Sequence, residues 1–435
     1  MVEAPFLVSA PGKTIIFGEH AAVYGKPAIA AALSLRSYLL VSAHSPAKAG
    51  QISLEFPDIK LQYSWDIASL PWDHAPSKAT TPDSLCPPSE LHEPLVEALE
   101  TPLANIYSSF QRVAAHTFLY LYCSILSPSQ TGVTFSIRSA LPIGSGLGSS
   151  ASVSVCLATA LLLLAGDISQ PVHTAEVDHG KTLDLVEAWS FLGERCMHGN
   201  PSGIDNAVSA HGGAILFQRM GKGVPNRQES MTSFPPLKLL LTDSKQPRRT
   251  AVLVGNVGTL LHSFPKIAEP IMDSIEELTN EAFELFQKPV EKCDAQWAGK
   301  LREMIRINHG LLVALGVSHP KLELIRAICD ENEVGETKLT GAGGGGCAIT
   351  LVNEGITEDK IEILRKQLEE HGFELFETSL GGKGVGCLFP SQATASRWED
   401  WEERVFSLHH LLALETRDHI EETIGVGAAK GWDFW

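Results

Sequence analysis

None of the eight cysteines forms a C-x-x-C pair or a close cluster: Cys86, Cys123, Cys156, Cys196, Cys293, Cys329, Cys347 and Cys387 are scattered through 435 residues. That spacing argues against a zinc centre or a disulfide framework, and for free, mostly buried thiols in a reducing compartment. Positive charge is scarce, with 34 Lys and Arg against 51 Asp and Glu, a formal net charge of −17. Such a balance argues against nucleic acid or an anionic membrane as a partner. An anionic substrate would have to be drawn in by local cations. Long hydrophobic runs are missing too. The most apolar stretch, residues 153–165, is too short to span a bilayer and has no charged flanks, so it is expected to be a buried core helix. Met1-Val2-Glu3-Ala4-Pro5 offers no basic region ahead of an apolar run, so no signal peptide is expected and the expected location is the cytoplasm.

What is present describes an ordinary soluble chain, 44% hydrophobic and 20% charged, too long for one core and expected to split into about two domains. No internal repeat is evident. Residues 6–10 read as a short strand and residues 27–42 as an apolar helix or strand pair. Residues 52–56 and 61–63 alternate as a hairpin would, and residues 72–90 are a polar surface loop. A helix is expected over 102–126, a strand over 132–138, and helices from Ser149 and over 181–197. The texture changes after Gly221-Lys222-Gly223-Val224-Pro225, which places a boundary between 1–225 and 226–390. The second part holds a strand (237–242), helices (267–286 and 294–315) and a strand (347–352). Residues 391–435 form an extension in which Val405, Leu408, Leu411 and Leu412 suit one face of a helix packed on the body.

Three glycine-centred motifs carry the chemistry. The first is Ser9-Ala10-Pro11-Gly12-Lys13, running on to Phe17-Gly18-Glu19-His20. Lys13 ends a strand on a constrained turn, with almost no other charge until Glu19. The second is Pro142-Ile143-Gly144-Ser145-Gly146-Leu147-Gly148-Ser149-Ser150-Ala151. Strand, glycine turn and helix present free N–H groups and a helix N-terminus to an anion, with Ser149 or Ser150 as the expected cap. No lysine lies in this loop, so it is not a Walker site, and the G-x-G-x-G spacing misses the dinucleotide fingerprint. The third is Lys338-Leu339-Thr340-Gly341-Ala342-Gly343-Gly344-Gly345-Gly346-Cys347, too glycine-rich for a core element and suited to close backbone approach.

Glu194 and Asp205 could divide the labour of phosphoryl transfer to an alcohol, one carboxylate on a metal and one at the hydroxyl. Glu194 falls in the last turn of the 181–197 helix, where a negative charge opposes the helix dipole and a metal partner would explain it. Asn200-Pro201 reads as an N-cap and first helical position, which puts Asp205 early in a new helix. His198, between them, is read as structural. Pro247-Arg248-Arg249-Thr250 offers an anion clamp in an acidic chain.

Together these motifs resemble the GHMP kinase superfamily, in the wording of the branch that phosphorylates mevalonate, over roughly residues 5–390. The resemblance implies an α+β fold of two domains, the first like ribosomal protein S5 domain 2 and the second a ferredoxin-like α/β domain, with the site in the cleft between them. It implies ATP and Mg2+ as cofactors and mevalonate as the acceptor. Gly144, Ser145, Gly146, Leu147, Gly148, Ser149 and Ser150 would wrap the phosphates, Ser139 would touch the nucleotide, and Ser150 and Glu194 would hold the metal. Asp205 would be the base. Lys13 would sit beside it and the nucleotide, favouring the developing alkoxide. Glu19, His20, Arg248 and Thr250 would bind the substrate, and Gly341, Ala342, Gly343 and Gly344 would form an active-site loop. Feedback inhibition by isoprenyl diphosphates and a homodimer are also expected. The rival readings are a sister kinase for phosphomevalonate or galactose, and a non-catalytic sensor that would be expected to lose Lys13, Glu194 or Asp205.

Overall fold

The computed structural model describes the chain apart from residues 1, 45–47, 77–85, 143, 172–178, 222–223, 225, 232–233, 236, 289–293, 391–399 and 430. The first half runs β1 (Phe6–Phe17), β2 (Ala28–Ala43), β3 (Gln51–Phe56), β4 (Leu61–Asp66), α1 (Glu93–Ala98), α2 (Ser109–Ile125), β5 (Val133–Ser139), α3 (Ser149–Ala165), α4 (Gly180–His198), α5 (Ile204–His211), β6 (Ala214–Gln218) and β7 (Arg227–Ser230). The second half runs β8 (Leu237–Asp243), α6 (Thr250–Ser263), α7 (Pro265–Phe286), α8 (Ala295–Ala314), α9 (Pro320–Glu331), β9 (Gly335–Leu339), β10 (Cys347–Val352), α10 (Glu358–Glu370), β11 (Glu374–Leu380) and β12 (Gly386–Leu388). The chain ends in α11 (Asp400–Val405), α12 (Leu408–Ala413), α13 (Arg417–Ile424) and β13 (Asp433–Phe434).

Strand β2 organises the molecule. Its C-terminal part pairs with β5, its N-terminal part with β6, and Leu33 bridges Leu380 of β11, which together with the β1–β12 pairing joins the two halves into a continuous sheet. Side chains alternate across it. Leu39 and Val41 enter a core shared with α2, α3 and α4, whereas Tyr38 and Leu40 face Val405, Phe406, Leu411, Ile420 and Ile424 of the C-terminal segment. Both faces are therefore covered, which is why β2 is apolar almost throughout and cannot be told from a helix by periodicity. It is one 16-residue strand, where the sequence left a helix or a strand pair open.

In the second half the spatial order is β11-β8-β10-β9, every pair antiparallel. In chain order that is fourth, first, third, second, the interleaving of the expected ferredoxin-like domain. Leu240 and Ala348 share a core with α9 and α10, and Leu239, Leu241 and Ile349 share another with Ile16, Phe17 and Ile29 of β1 and β2. The second sheet thus packs directly on the end of β1 that carries the first glycine motif.

Three expectations need correction. Strand β1 does not stop at Ala10 but continues through Pro11-Gly12-Lys13, with a register shift between Pro11 and Lys13 absorbing the turn. Helix α2 starts at Ser109; residues before it form turns in which the Leu103 carbonyl accepts from both Ile106 N–H (3.0 Å) and Arg112 (2.5 Å), and the Pro102 carbonyl from the Trp65 indole (3.0 Å). The extension is not one helix. It breaks at Phe406-Ser407 into α11 and α12, burying Val405 and Leu411 while Leu408 and Leu412 are half-buried. Residues 77–85 of the expected 72–90 loop lie outside the described residues.

Candidate active site

Strand β5 delivers the chain to the second glycine motif, and α3 leaves it. Gly146 and Gly148 sit at φ 80° and 71°, the left-handed region that glycine alone enters freely. A Cβ on Gly146 would fall 1.3 Å from Arg248 Nη2, and one on Gly148 would fall 2.9 Å from Lys13 Cγ. The N-cap of α3 is Gly148, with no side-chain cap, so Ser149 and Ser150 are its first helical residues and not the cap the sequence suggested. Their backbone donors remain open at the positive end of a 17-residue helix. Ser145 turns inward, its hydroxyl donating to the Pro142 carbonyl at 2.7 Å, and Leu147 is buried while its carbonyl accepts from Lys13 N–H at 2.8 Å. Any ligand contact from those two residues must come from their backbone.

Lys13 projects from the β1 irregularity to Asp205, Nζ to Oδ1 3.0 Å. Asp205 is the second residue of α5, whose N-cap is Gly203 at φ 87°; Asn200-Pro201 lies in the preceding loop and does not cap it. Ser209 Oγ donates to the Pro11 carbonyl at 2.8 Å and pins α5 against β1, fixing the pair. Glu194 lies on α4 at 3% exposure, with Oε1 buried and, among the described residues, without a hydrogen-bond partner. Burial, then the neighbouring Asp205 charge, push its carboxyl up to about 7, opposed by a Ser150 hydrogen bond and Lys13. A buried carboxylate with one orphan oxygen beside a serine hydroxyl is a donor set that fits a hard divalent cation.

Arg248 joins the second and third motifs. Its Nη1 donates to the Thr340 carbonyl at 3.1 Å, and its guanidinium fills the space left by the missing side chains of Gly146, Gly341 and Gly346. Among the described residues it makes no ion pair, so a half-buried guanidinium is left facing the cleft. Thr250 opens α6 beside it, adding a second helix N-terminus. In the third motif the Ala342 carbonyl contacts His20 Nε2 at 2.9 Å, and a Gly343 Cβ would meet the Val317 carbonyl at 2.0 Å. His20 is held at φ 61°, its Nδ1 is buried without a partner, and burial lowers its pKa.

These groups border a cavity of roughly 630 Å³. Its polar end carries Gly146, Ser150, Glu194, Asp205, Arg248 and Thr250. The apolar wall comes from β3, α2, β5, α3 and α4, with Phe56, Phe110, Val113, Ile137, Leu157 and Met197 among its residues.

Residues 109–213 match the family model of the GHMP kinase N-terminal domain, and residues 290–373 that of the GHMP kinase C-terminal domain. A mevalonate kinase of Candida albicans is 47% identical over 100% of both chains, and the human mevalonate kinase is 38% identical over 88% of this chain and 95% of its own. The chain belongs to the mevalonate kinase family. It is an ATP-dependent kinase. Among solved structures, the Methanococcus jannaschii mevalonate kinase aligns with TM-score 0.59 at 24% identity over 88% of this chain and 100% of its own. The L. major mevalonate kinase in complex with R-mevalonate aligns at 0.60 and 22%, over 88% and 97%. At those identities both speak for the fold alone.

Within this mevalonate kinase fold the structure gathers most, not all, of the expected site. Gly144, Gly146, Gly148, Ser149, Ser150, Glu194, Asp205, Arg248 and Thr250 border the cavity, and Lys13 reaches it through Asp205. Ser139 does not reach it. Although it shares a strand face with Ile137, which borders the cavity, its hydroxyl pairs with Ser37 Oγ at 3.1 Å and accepts from Leu141 N–H. Glu19 is withdrawn too, in an ion pair with Lys338 at 0% exposure for both. Gly341 to Gly344 shape the site through Arg248 and His20 and do not line the cavity. Lys338 and the apolar wall were missed. Lys338 stood within a quoted motif, but nothing local marked its partner 319 residues away.

Proposed function

We propose that this chain transfers the γ-phosphoryl group of ATP to the C5 hydroxyl of mevalonate, giving 5-phosphomevalonate and ADP with Mg2+ as cofactor. The observation that carries the reading is the Lys13–Asp205 pair, 3.0 Å apart, at the end of a cavity bordered by a glycine phosphate loop and two helix N-termini. The loop N–H groups, the N-termini of α3 and α6 and the Arg248 guanidinium receive the phosphates. Ser150 and Glu194 would hold Mg2+, which when bound neutralises phosphate charge. Asp205 accepts the proton of the acceptor hydroxyl, while the Lys13 ammonium, 3.0 Å from Asp205, favours the oxygen as it becomes anionic. His20 Nδ1, a buried acceptor with no partner, is available to a polar group of mevalonate.

The apolar wall suits a base or an isoprenyl chain. Feedback inhibition by isoprenyl diphosphates that compete with ATP belongs to the same reading, as do a homodimer, a cytoplasmic location, a place in isoprenoid and sterol biosynthesis, and the division into 1–225, 226–390 and 391–435. A coupled assay over mevalonate, phosphomevalonate, homoserine and galactose tests the reading; turnover of any of the others without mevalonate overturns it. For Asp205→Asn we expect kcat to fall about 10²–10⁴-fold, with far less change in nucleotide affinity. A folded variant with near-normal kcat would remove Asp205 from the chemistry.

A further inference from the structure

His198 has no part in the scheme above, yet it lies in the cavity lining. It is the last residue of α4, four positions after Glu194 and therefore on the same helix face. Its Nε2 is 3.2 Å from Ser150 Oγ and 4.0 Å from Glu194 Oε2. Gly199, at φ 71°, ends the helix immediately after it, and Asn200 N–H donates to the His198 carbonyl at 2.8 Å. The backbone that carries the ring is thus held at the helix end.

A serine hydroxyl has one proton and two lone pairs. If Ser150 gave that proton to Glu194, a carboxylate oxygen would be spent on the hydroxyl, and both groups would be less able to serve a cation together. If the proton goes to His198 Nε2, the Ser150 oxygen and both Glu194 oxygens face the same space, with the orphan Oε1 among them. We propose that His198 is a positioning residue: its Nε2 accepts the Ser150 hydroxyl proton and leaves the Ser150 oxygen free for the cation beside Glu194. The inference rests on the reading that Ser150 and Glu194 hold that cation. It requires the tautomer with the proton on Nδ1. His198 itself touches neither cation nor substrate, in the manner of the outer partners that orient metal ligands.

The test is calorimetric binding of ADP to the full chain, over a Mg2+ series and in EDTA, for the native protein, His198→Ala, His198→Gln and Glu194→Gln. His198→Ala should raise the Mg2+ concentration for half-maximal binding about 10–100-fold and leave ADP affinity in EDTA unchanged. His198→Gln, whose amide oxygen can take the place of Nε2 as acceptor, should restore most of that loss. The side chain is 56% exposed, so both variants are expected to fold. A shift in Glu194→Gln without one in His198→Ala would overturn the role of His198 alone. Equal loss with and without Mg2+ would make His198 a direct phosphate ligand, and a glutamine no better than alanine would remove the acceptor role. If Glu194→Gln also binds MgADP normally, the cation reading falls and the proposal with it.

Discussion

Glu194 shows how a buried carboxyl at the cavity can work against stability. Its carboxyl is raised from 4.5 to about 7 by burial. A raised folded-state pKa means that its stabilising contribution is full below the unfolded value of 4.5 and is lost as pH rises through 7. At pH 8, without metal, the folded state therefore carries a penalty of about 3 kcal/mol at most. We expect Glu194→Gln to melt a few degrees higher than the native protein at pH 8 without Mg2+, and with little difference at pH 5. Thermal unfolding at the two pH values checks this; a destabilised variant at pH 8 would contradict it. The Lys338–Glu19 pair behaves differently. Lys338 Nζ bonds both Glu19 and the Ile16 carbonyl, in a place where both side chains are wholly buried. Removing one partner strands the other's charge, at about 3–5 kcal/mol. Chemical denaturation should show Lys338→Met losing that much, and Lys338→Met with Glu19→Gln recovering a large part.

The phosphate loop, the third motif and the Arg248 segment are separate stretches that meet at one guanidinium. Gly146→Ala puts a methyl group onto Arg248 Nη2, the movable end of a long side chain, so the fold should survive while the anion clamp is displaced. We expect nucleotide affinity to fall at least tenfold in that variant, with a small change in melting temperature. Gly343→Ala meets the Val317 carbonyl, which is backbone, at 2.0 Å and at φ 71°, and neither side can yield cheaply. That variant should lose stability first. Comparing melting temperature and ADP affinity for the two separates an element that binds from one that is only packed.

At the scale of the molecule, the C-terminal segment returns to cover the first sheet. Strand β13 pairs with β12, which pairs with β1, and Arg36 stacks 5.6 Å over the Phe434 ring while bonding the Lys383 and Gly384 carbonyls. Tyr38 donates to Glu421 on α13 at 2.9 Å. Cutting the chain after residue 390 would bare Leu7, Tyr38 and Leu40 and leave β12 as an open edge. We expect the truncated protein to aggregate on expression. A soluble, fully active truncation would show the segment to be dispensable.

Glycine spacing, the acid pair and the lysine that precedes them are local patterns, so they were legible along the chain. Loop-to-helix geometry around Gly148 and the placing of Asp205 near a helix start follow from backbone preferences of a few residues. Of the second sheet only β8 and β10 were legible; β9 and β11 were not read from the sequence. Long-range pairing left no such trace. Ser139 and Glu19 point away from the cavity because of what β2 and Lys338 offer them, and neither partner is adjacent in sequence. The caps of α3 and α5 fell to Gly148 and Gly203, both at positive φ, instead of to the nearby Ser149 and Asn200; at Gly148 a side chain would also meet Lys13 Cγ at 2.9 Å. Strand β2 looked ambiguous because tertiary structure buries both its faces. The sequence determined which chemically able groups the chain carries and in what local order; burial and packing across hundreds of residues decided which of them face the cavity.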